Sequence, residues 1–405
     1  MSESMRVADV ANGAEPFELA RLLHPVDLAD FRQEYWERKP LLVQREDRDY
    51  YAELMTLAEY DRMLSLAGGN LEHLRVVQDG KETPVSELGS GSSETALESV
   101  YARYRDGATI VMNSIQARFA SMNRLTRSLG SEIGARIQVN SYLTPATSRG
   151  FAPHYDTHDV FIVQVYGSKR WQLFESPLAL PLRSQPFDRS QAEPALAQEF
   201  ELRAGDVLYL PRGTVHAGTA TGEASLHLTV GVHPILWANV LAEAMQQLVE
   251  TDVRYRAGLP MGFTNSAEIQ RRLRETVAEL AAELPSKLAL DDAVARTITR
   301  GVAINAPVLQ GHLLDLERVD EVSLETKLRR RPDLQWRLTV DEETVHLSFH
   351  GKTVRLPAHV ADEVRYAAHE SGAPLTAAAI PGELDEPGRL VLVRKLLSEG
   401  FLTFA

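Results

Sequence analysis

Between positions 136 and 233 the chain carries five short apolar runs, at 136–143, 160–165, 170–174, 206–210 and 226–232, separated by turn signals. Runs of this length read as strands. With no long helical pattern between them, they predict an antiparallel sandwich or barrel and argue against a parallel sheet. The flanks have a different period. Residues 17–66 are patterned as helix, broken at Pro25 and again at Pro40, after which 41–43 is a short β-run. Trp36 reads as a core anchor. A strand is predicted at 109–113 and an amphipathic helix over 119–129, while 1–14 reads as a frayed tail and the Gly/Ser-rich 89–93 as a loop.

From Ile235 the pattern turns helical. Trp237, Leu241, Met245 and Leu248 form a stripe, and helices are expected over 266–284 and 289–299. The last hundred residues offer a hairpin (336–340 with 344–349), a helix over 358–370, a helical turn at 376–379, a helix over 389–399 and a strand at 401–404. At 405 residues the chain is too long for one ordinary domain. The fold class is therefore α+β in three parts: a strand-rich domain with N-terminal helices (1–234), a helical region (235–300) that could pack on that domain or on the same helices of a second copy, and a winged-helix-like domain (301–405). The arginine run at 329–331 reads as a solvated linker.

The net charge of −13 makes direct nucleic-acid binding a poor expectation and suits a basic protein partner. Residues 301–405 hold 12 basic and 16 acidic residues, a net of −4, which argues against a DNA-reading wing. Cysteine is absent, so disulfide and thiolate chemistry is excluded and His, Asp and Glu remain as strong metal ligands. No apolar stretch is long enough to span a membrane and no signal core is visible, so a cytoplasmic protein is expected.

The chemistry concentrates around the run at 160–165. His154 and Asp156 precede it; a Gly167-Ser168 turn follows, then a strand with Lys169 and Trp171. A chain with twelve histidines should show about one His-x-Asp by chance, so the pair alone carries little. Three features raise its weight: the buried strand behind it, the restriction imposed by Pro153, and a separate unit (Gly205, Asp206, Pro211, Gly213, His216) whose turn chemistry puts a histidine on a strand rim. Two imidazoles and a carboxylate on one face of Fe(II) leave positions for a chelating cosubstrate and dioxygen. A hydrolytic zinc site uses the same ligands. Lys169 is either a solvated strand-end lysine or the partner of a dicarboxylate chelator.

The segments N-S-Y-L-T-P (140–145), H-Y-D (154–156) and D-V-F-I-V-Q-V-Y-G-S-K-R-W (159–171) resemble those of JmjC-type 2-oxoglutarate oxygenases of the cupin superfamily. With Y-W-E-R-K-P-L-L-V (35–43) and the order of the three parts, the resemblance is to the ribosomal oxygenases, which hydroxylate ribosomal proteins. It implies a double-stranded β-helix, or jelly roll, for the first domain, with His154, Asp156 and His216 as catalytic iron ligands. Lys169 matches the residue binding the distal carboxylate of 2-oxoglutarate, and Asn140, Tyr142 and Thr229 match the cosubstrate pocket. His158 matches no ligand. The implied cofactors are Fe(II), 2-oxoglutarate and O2, and the implied partners are a basic ribosomal protein as substrate and a second copy of the chain. Arginine-hydroxylating members typically have Arg where this chain has Lys169, which points to histidine as the residue modified. Two other functions share these features: the same oxygenase chemistry on a biosynthetic peptide or free amino acid, and a ligand-sensing winged-helix regulator.

Overall fold

The computed structural model describes all residues except 1–16, 68–72, 79, 85–87, 89–92, 147, 149–150, 189, 191–193, 305–308, 333 and 370–373. The tail expected at 1–14 and most of the loop expected at 89–93 lie outside the described residues. The chain divides into two compact units, 1–234 and 235–405.

The first unit contains α1 (Leu19–Leu23), α2 (Leu28–Asp30) continuing into a π-helical turn (Phe31–Tyr35), β1 (Leu41–Val43), α3 (Leu57–Ala67), β2 (Leu74–Gln78), β3 (Lys81–Glu82), α4 (Ser93–Arg105), β4 (Thr109–Met112) and α5 (Ala120–Ile133). The strand-rich part follows: β5 (Arg136–Thr144), β6 (Asp159–Tyr166), β7 (Ser168–Phe174), β8 (Leu196–Arg203), β9 (Val207–Leu210), β10 (His216–Ala220) and β11 (Ser225–His233). An eight-stranded sheet runs in the order β1-β9-β6-β11-β5-β4-β2-β3, and a three-stranded sheet in the order β10-β7-β8. Every pairing is antiparallel.

The near-continuous apolar run in β6 has a physical reason. Val160 and Ile162 pack with Trp171, Leu173 and Leu202 of the smaller sheet, while Phe161 and Val163 face the large core built with the helices. A central strand covered on both faces cannot alternate apolar with polar residues. Trp36 is a core anchor, stacked on Tyr209 at 5.9 Å.

The second unit holds α6 (Trp237–Thr251), α7 (Val253–Arg256), α8 (Ala267–Lys287), α9 (Leu290–Ala303) and α10 (His312–Glu317), then β12 (Leu328–Arg330), β13 (Trp336–Val340), β14 (Thr344–Phe349), β15 (Lys352–Pro357), α11 (Ala361–His369), α12 (Glu386–Ser398) and β16 (Leu402–Phe404). The hairpin extends to a three-stranded meander β13-β14-β15, and β12 pairs with β16. Arg337 donates to the Ala295 carbonyl and, at 2.6 Å, to Thr299 Oγ1, which ties the meander to α9. The arginine run is no linker. Residues 328–330 are a strand, and Arg331 is buried against Asp315, with its Nε donating to the Gly400 carbonyl at 3.0 Å. A short strand with long cationic side chains lacks the apolar alternation by which strands are read. Among the described residues no helix is long and apolar enough to cross a membrane.

Candidate metal centre

His154 precedes β6 on an irregular segment, yet its backbone is held. Its N–H donates to the His216 carbonyl at 3.1 Å, and the His216 N–H donates back at 2.8 Å. This isolated bridge sets the two imidazoles side by side, ring centroids 4.8 Å apart. His216 opens β10. The turn before it is closed by Gly213, whose N–H donates to the Asp156 carbonyl at 3.0 Å. Gly213 has φ +90°, and a Cβ there would lie 2.4 Å from the Leu178 carbonyl oxygen, so only glycine fits.

The candidate ligand atoms of His154, Asp156 and His216 all lie within 4.8 Å of one another, with Asp156 Oδ2 3.8 Å from His216 Nε2. Nδ1 of His154 sits 2.8 Å from the Ala152 carbonyl, and Nδ1 of His216 2.9 Å from that of Thr214. A carbonyl only accepts, so each Nδ1 carries a proton and Nε2 is the ring nitrogen left to face a cation. Burial, reinforced by His154, pushes His216 down to about 4, which keeps it neutral at physiological pH. Burial opposes ionisation of Asp156, but the neighbouring His216, His158 and His154 hold its carboxyl below the usual carboxylate range. Two imidazole Nε2 atoms and a carboxylate are a donor set that suits a divalent cation.

The cavity beside these ligands is lined by alternate residues of each strand: Tyr142 of β5, Val160 and Ile162 of β6, Lys169 and Trp171 of β7, Gly218 of β10, and His227 and Thr229 of β11. Phe151 adds an aromatic wall from the loop before His154. Lys169 is 2% exposed. Its Nζ donates to Thr144 Oγ1 at 3.1 Å, no carboxylate among the described residues pairs with it, and burial pushes it down to about 7. A buried ammonium facing a cavity without a counter-charge fits an anionic ligand.

Most of the expected residues converge here: the three ligands with Lys169, Tyr142 and Thr229. Asn140 shares a strand face with Tyr142 and hydrogen-bonds its hydroxyl, so it stands behind the cavity wall, while its Oδ1 accepts from the Ser114 N–H at 3.0 Å and from Gln138 Nε2 at 3.3 Å. His158 stacks on His233 at 4.6 Å. His227 and Trp171 were not singled out from the sequence as pocket residues, although His227 lies parallel to Tyr142 at 4.9 Å and Trp171 meets it edge-on at 5.4 Å. The period of two was the available signal: 227 shares a face with 229, and 171 with 169.

Residues 112–240 match the JmjC domain family, a span that contains every residue of this site. The chain therefore carries a JmjC domain. Among curated proteins, this JmjC chain is 29% identical to ribosomal oxygenase 1 of Danio rerio over 94% of its own length and 78% of that protein's. It is 35% identical to ribosomal oxygenase 1 of Gallus gallus over 66% of its length, but covers only 47% of that protein. For several relatives it thus spans about half their length. Among solved structures, the Escherichia coli ribosomal oxygenase YcfD, determined with cobalt and 2-oxoglutarate, aligns over 94% of this chain and 98% of its own, with 17% identity and a TM-score of 0.50. That likeness is one of fold.

Proposed function

We propose that this JmjC protein is an Fe(II)- and 2-oxoglutarate-dependent hydroxylase of a ribosomal protein side chain. The observation that carries the proposal is the pairing of a His154, Asp156, His216 donor set with a buried, unneutralised Lys169 in one cavity. When bound, iron and 2-oxoglutarate supply the oxidising power: the cosubstrate and O2 become succinate and CO2 while one oxygen atom enters a substrate C–H bond.

The chain's own residues hold, orient and shield. His154 and His216 present Nε2 lone pairs locked in place by their Nδ1–H···O=C bonds, and Asp156 supplies the anion. Lys169 pairs with the distal carboxylate of the cosubstrate, with Tyr142 and Thr229 on the adjacent wall. Burial raises the Tyr142 hydroxyl to about 12, so it stays protonated and can donate. Val160, Ile162, Phe151 and Trp171 supply the apolar part of the wall.

Histidine is our proposed target residue, from Lys169 and from the histidyl-hydroxylase name of other relatives, such as the 32%-identical NO66 of Aedes aegypti. The second unit serves as a homodimerisation surface and a winged-helix-like module, in a cytoplasmic protein. Support for the dimer comes from an apolar surface on α6 and α9: Trp237 is 88% and Leu241 55% exposed, and Leu290, Val294 and Ile298 are exposed at helical spacing.

The decisive experiment incubates the enzyme, iron and 2-oxoglutarate with peptides spanning basic loops of the organism's own ribosomal proteins, read by mass spectrometry. Gain of one oxygen atom on a histidine is expected. It should vanish in His154→Ala, Asp156→Ala and His216→Ala, each of which removes a metal ligand. Oxygen gained only by free amino acids or small peptides would replace the ribosomal substrate with a biosynthetic one.

A further inference from the structure

The segment 35–43 contributes no residue to the cavity wall, yet one of its side chains reaches the frame on which the metal ligands stand. Asp159, wholly buried, opens β6 just after the Asp156 loop. Arg212, also buried, lies in the turn that leads into His216. Its main-chain N–H donates to Asp159 Oδ1 at 3.1 Å and its Nη1 to Asp159 Oδ2 at 2.9 Å. The same Nη1 donates to the Glu37 carboxylate. Glu37 sits at φ +56°, in the left-handed region, with its N–H donating to the Tyr209 hydroxyl at 2.9 Å. That hydroxyl in turn lies 3.4 Å from Asp159 Oδ1. Next to Arg212, Gly213 N–H holds the Asp156 carbonyl.

The strand that follows Asp156 and the turn that precedes His216 therefore meet at a single guanidinium, braced from outside by Glu37. We infer that Arg212 is a positioning residue of the metal centre and that the Glu37 segment is part of its scaffold, so the affinity for metal depends on both. This rests on His154, Asp156 and His216 being the metal ligands. A guanidinium bound to two carboxylates fixes both spacing and direction between the segments, which a neutral side chain cannot do. Groups that bond a metal ligand directly change metal affinity by about 10–100-fold when lost; Arg212 acts one step further out, through Asp159 and the Gly213 turn, so a smaller effect is expected.

The test is calorimetric titration of the full-length protein with Co(II), well below each variant's melting temperature and with folding checked by circular dichroism. Arg212→Met should weaken Co(II) binding by up to about 10-fold, the lower end of the range for direct partners of the ligands, and Glu37→Gln by a smaller factor. A purely architectural role would lower the melting temperature and leave the affinity of the folded protein unchanged. Wild-type affinity in either folded variant overturns the inference, and if Arg212→Met does not fold, Glu37→Gln decides alone. His216→Ala separates this from the premise. If that variant also binds Co(II) normally, the metal assignment fails and the inference falls with it. If it loses Co(II) while Arg212→Met does not, only the inference falls.

Discussion

Lys169 shows how much a single residue owes to its surroundings. Its side chain passes Gly218 on the neighbouring strand, where a Cβ would come within 3.0 Å of Lys169 Cε. Burial then lowers its pKa from the ordinary 10.5 to about 7. Between those values the unfolded chain carries a proton that the folded protein lacks. The burial cost is thus fully present below about pH 7 and fades as pH rises towards 10.5. A bound carboxylate favours the protonated lysine, so 2-oxoglutarate affinity should be greatest below about pH 7 and fall by up to about tenfold per pH unit above it. Lys169→Arg, ionised throughout, should flatten that profile, while Lys169→Ala should cost roughly 1.5–3 kcal/mol of binding. Titrating 2-oxoglutarate into the metal-loaded protein across this pH range checks all three. Unchanged affinity in the alanine variant would remove Lys169 from the cosubstrate site. Asn140 acts at one remove: its Oδ1 is held by the Ser114 N–H, and its side chain hydrogen-bonds the Tyr142 hydroxyl that lines the cavity.

At the scale of elements, the cavity is built from alternate positions on five strands, so pairing register alone decides which side chains meet. His227 stands opposite Tyr142, and Gly218 opposite Trp171. The strands not read from the sequence are β2, β3, β8, β12 and β15; β3 and β12, at two and three residues, are too short to show a period. β8 is an edge strand with mostly exposed side chains; it is a strand because β7 lies beside it. The turn before β10 should be intolerant of change. Gly213→Ala meets the Leu178 carbonyl oxygen and, at 2.7 Å, Pro181 Cδ. It should cost about 1–3 kcal/mol of stability, seen in thermal denaturation. In the second unit, Arg331→Met strands the buried Asp315, which also accepts from Thr403 Oγ1 at 3.0 Å. A loss of roughly 3–5 kcal/mol is expected, whereas a variant of the exposed Arg318–Glu321 pair should change stability little. Equal, small effects from both would return Arg331 to the role of a surface residue.

For the whole molecule, the net charge of −13 implies attraction to a basic substrate, so turnover on a ribosomal peptide should fall as salt is raised. A free amino acid as substrate would show little such dependence. Light scattering should find a dimer at micromolar concentration, and charged substitutions at Trp237 and Leu241 should dissociate it; a wild-type monomer would reject that role for the α6 and α9 surface. Ligand chemistry, strand period and turn residues are local, and they were legible in the sequence. From them came the antiparallel architecture, the His154, Asp156, His216 donor set, and Lys169 as a cation beside it. Two things were decided only in three dimensions: the burial that makes Lys169 titratable near neutrality, and the convergence of Glu37, Arg212 and Asp159 from distant parts of the chain. Each depends on which backbone segment lies against which, and that is set by long-range strand register and the packing of the core rather than by any neighbourhood in sequence.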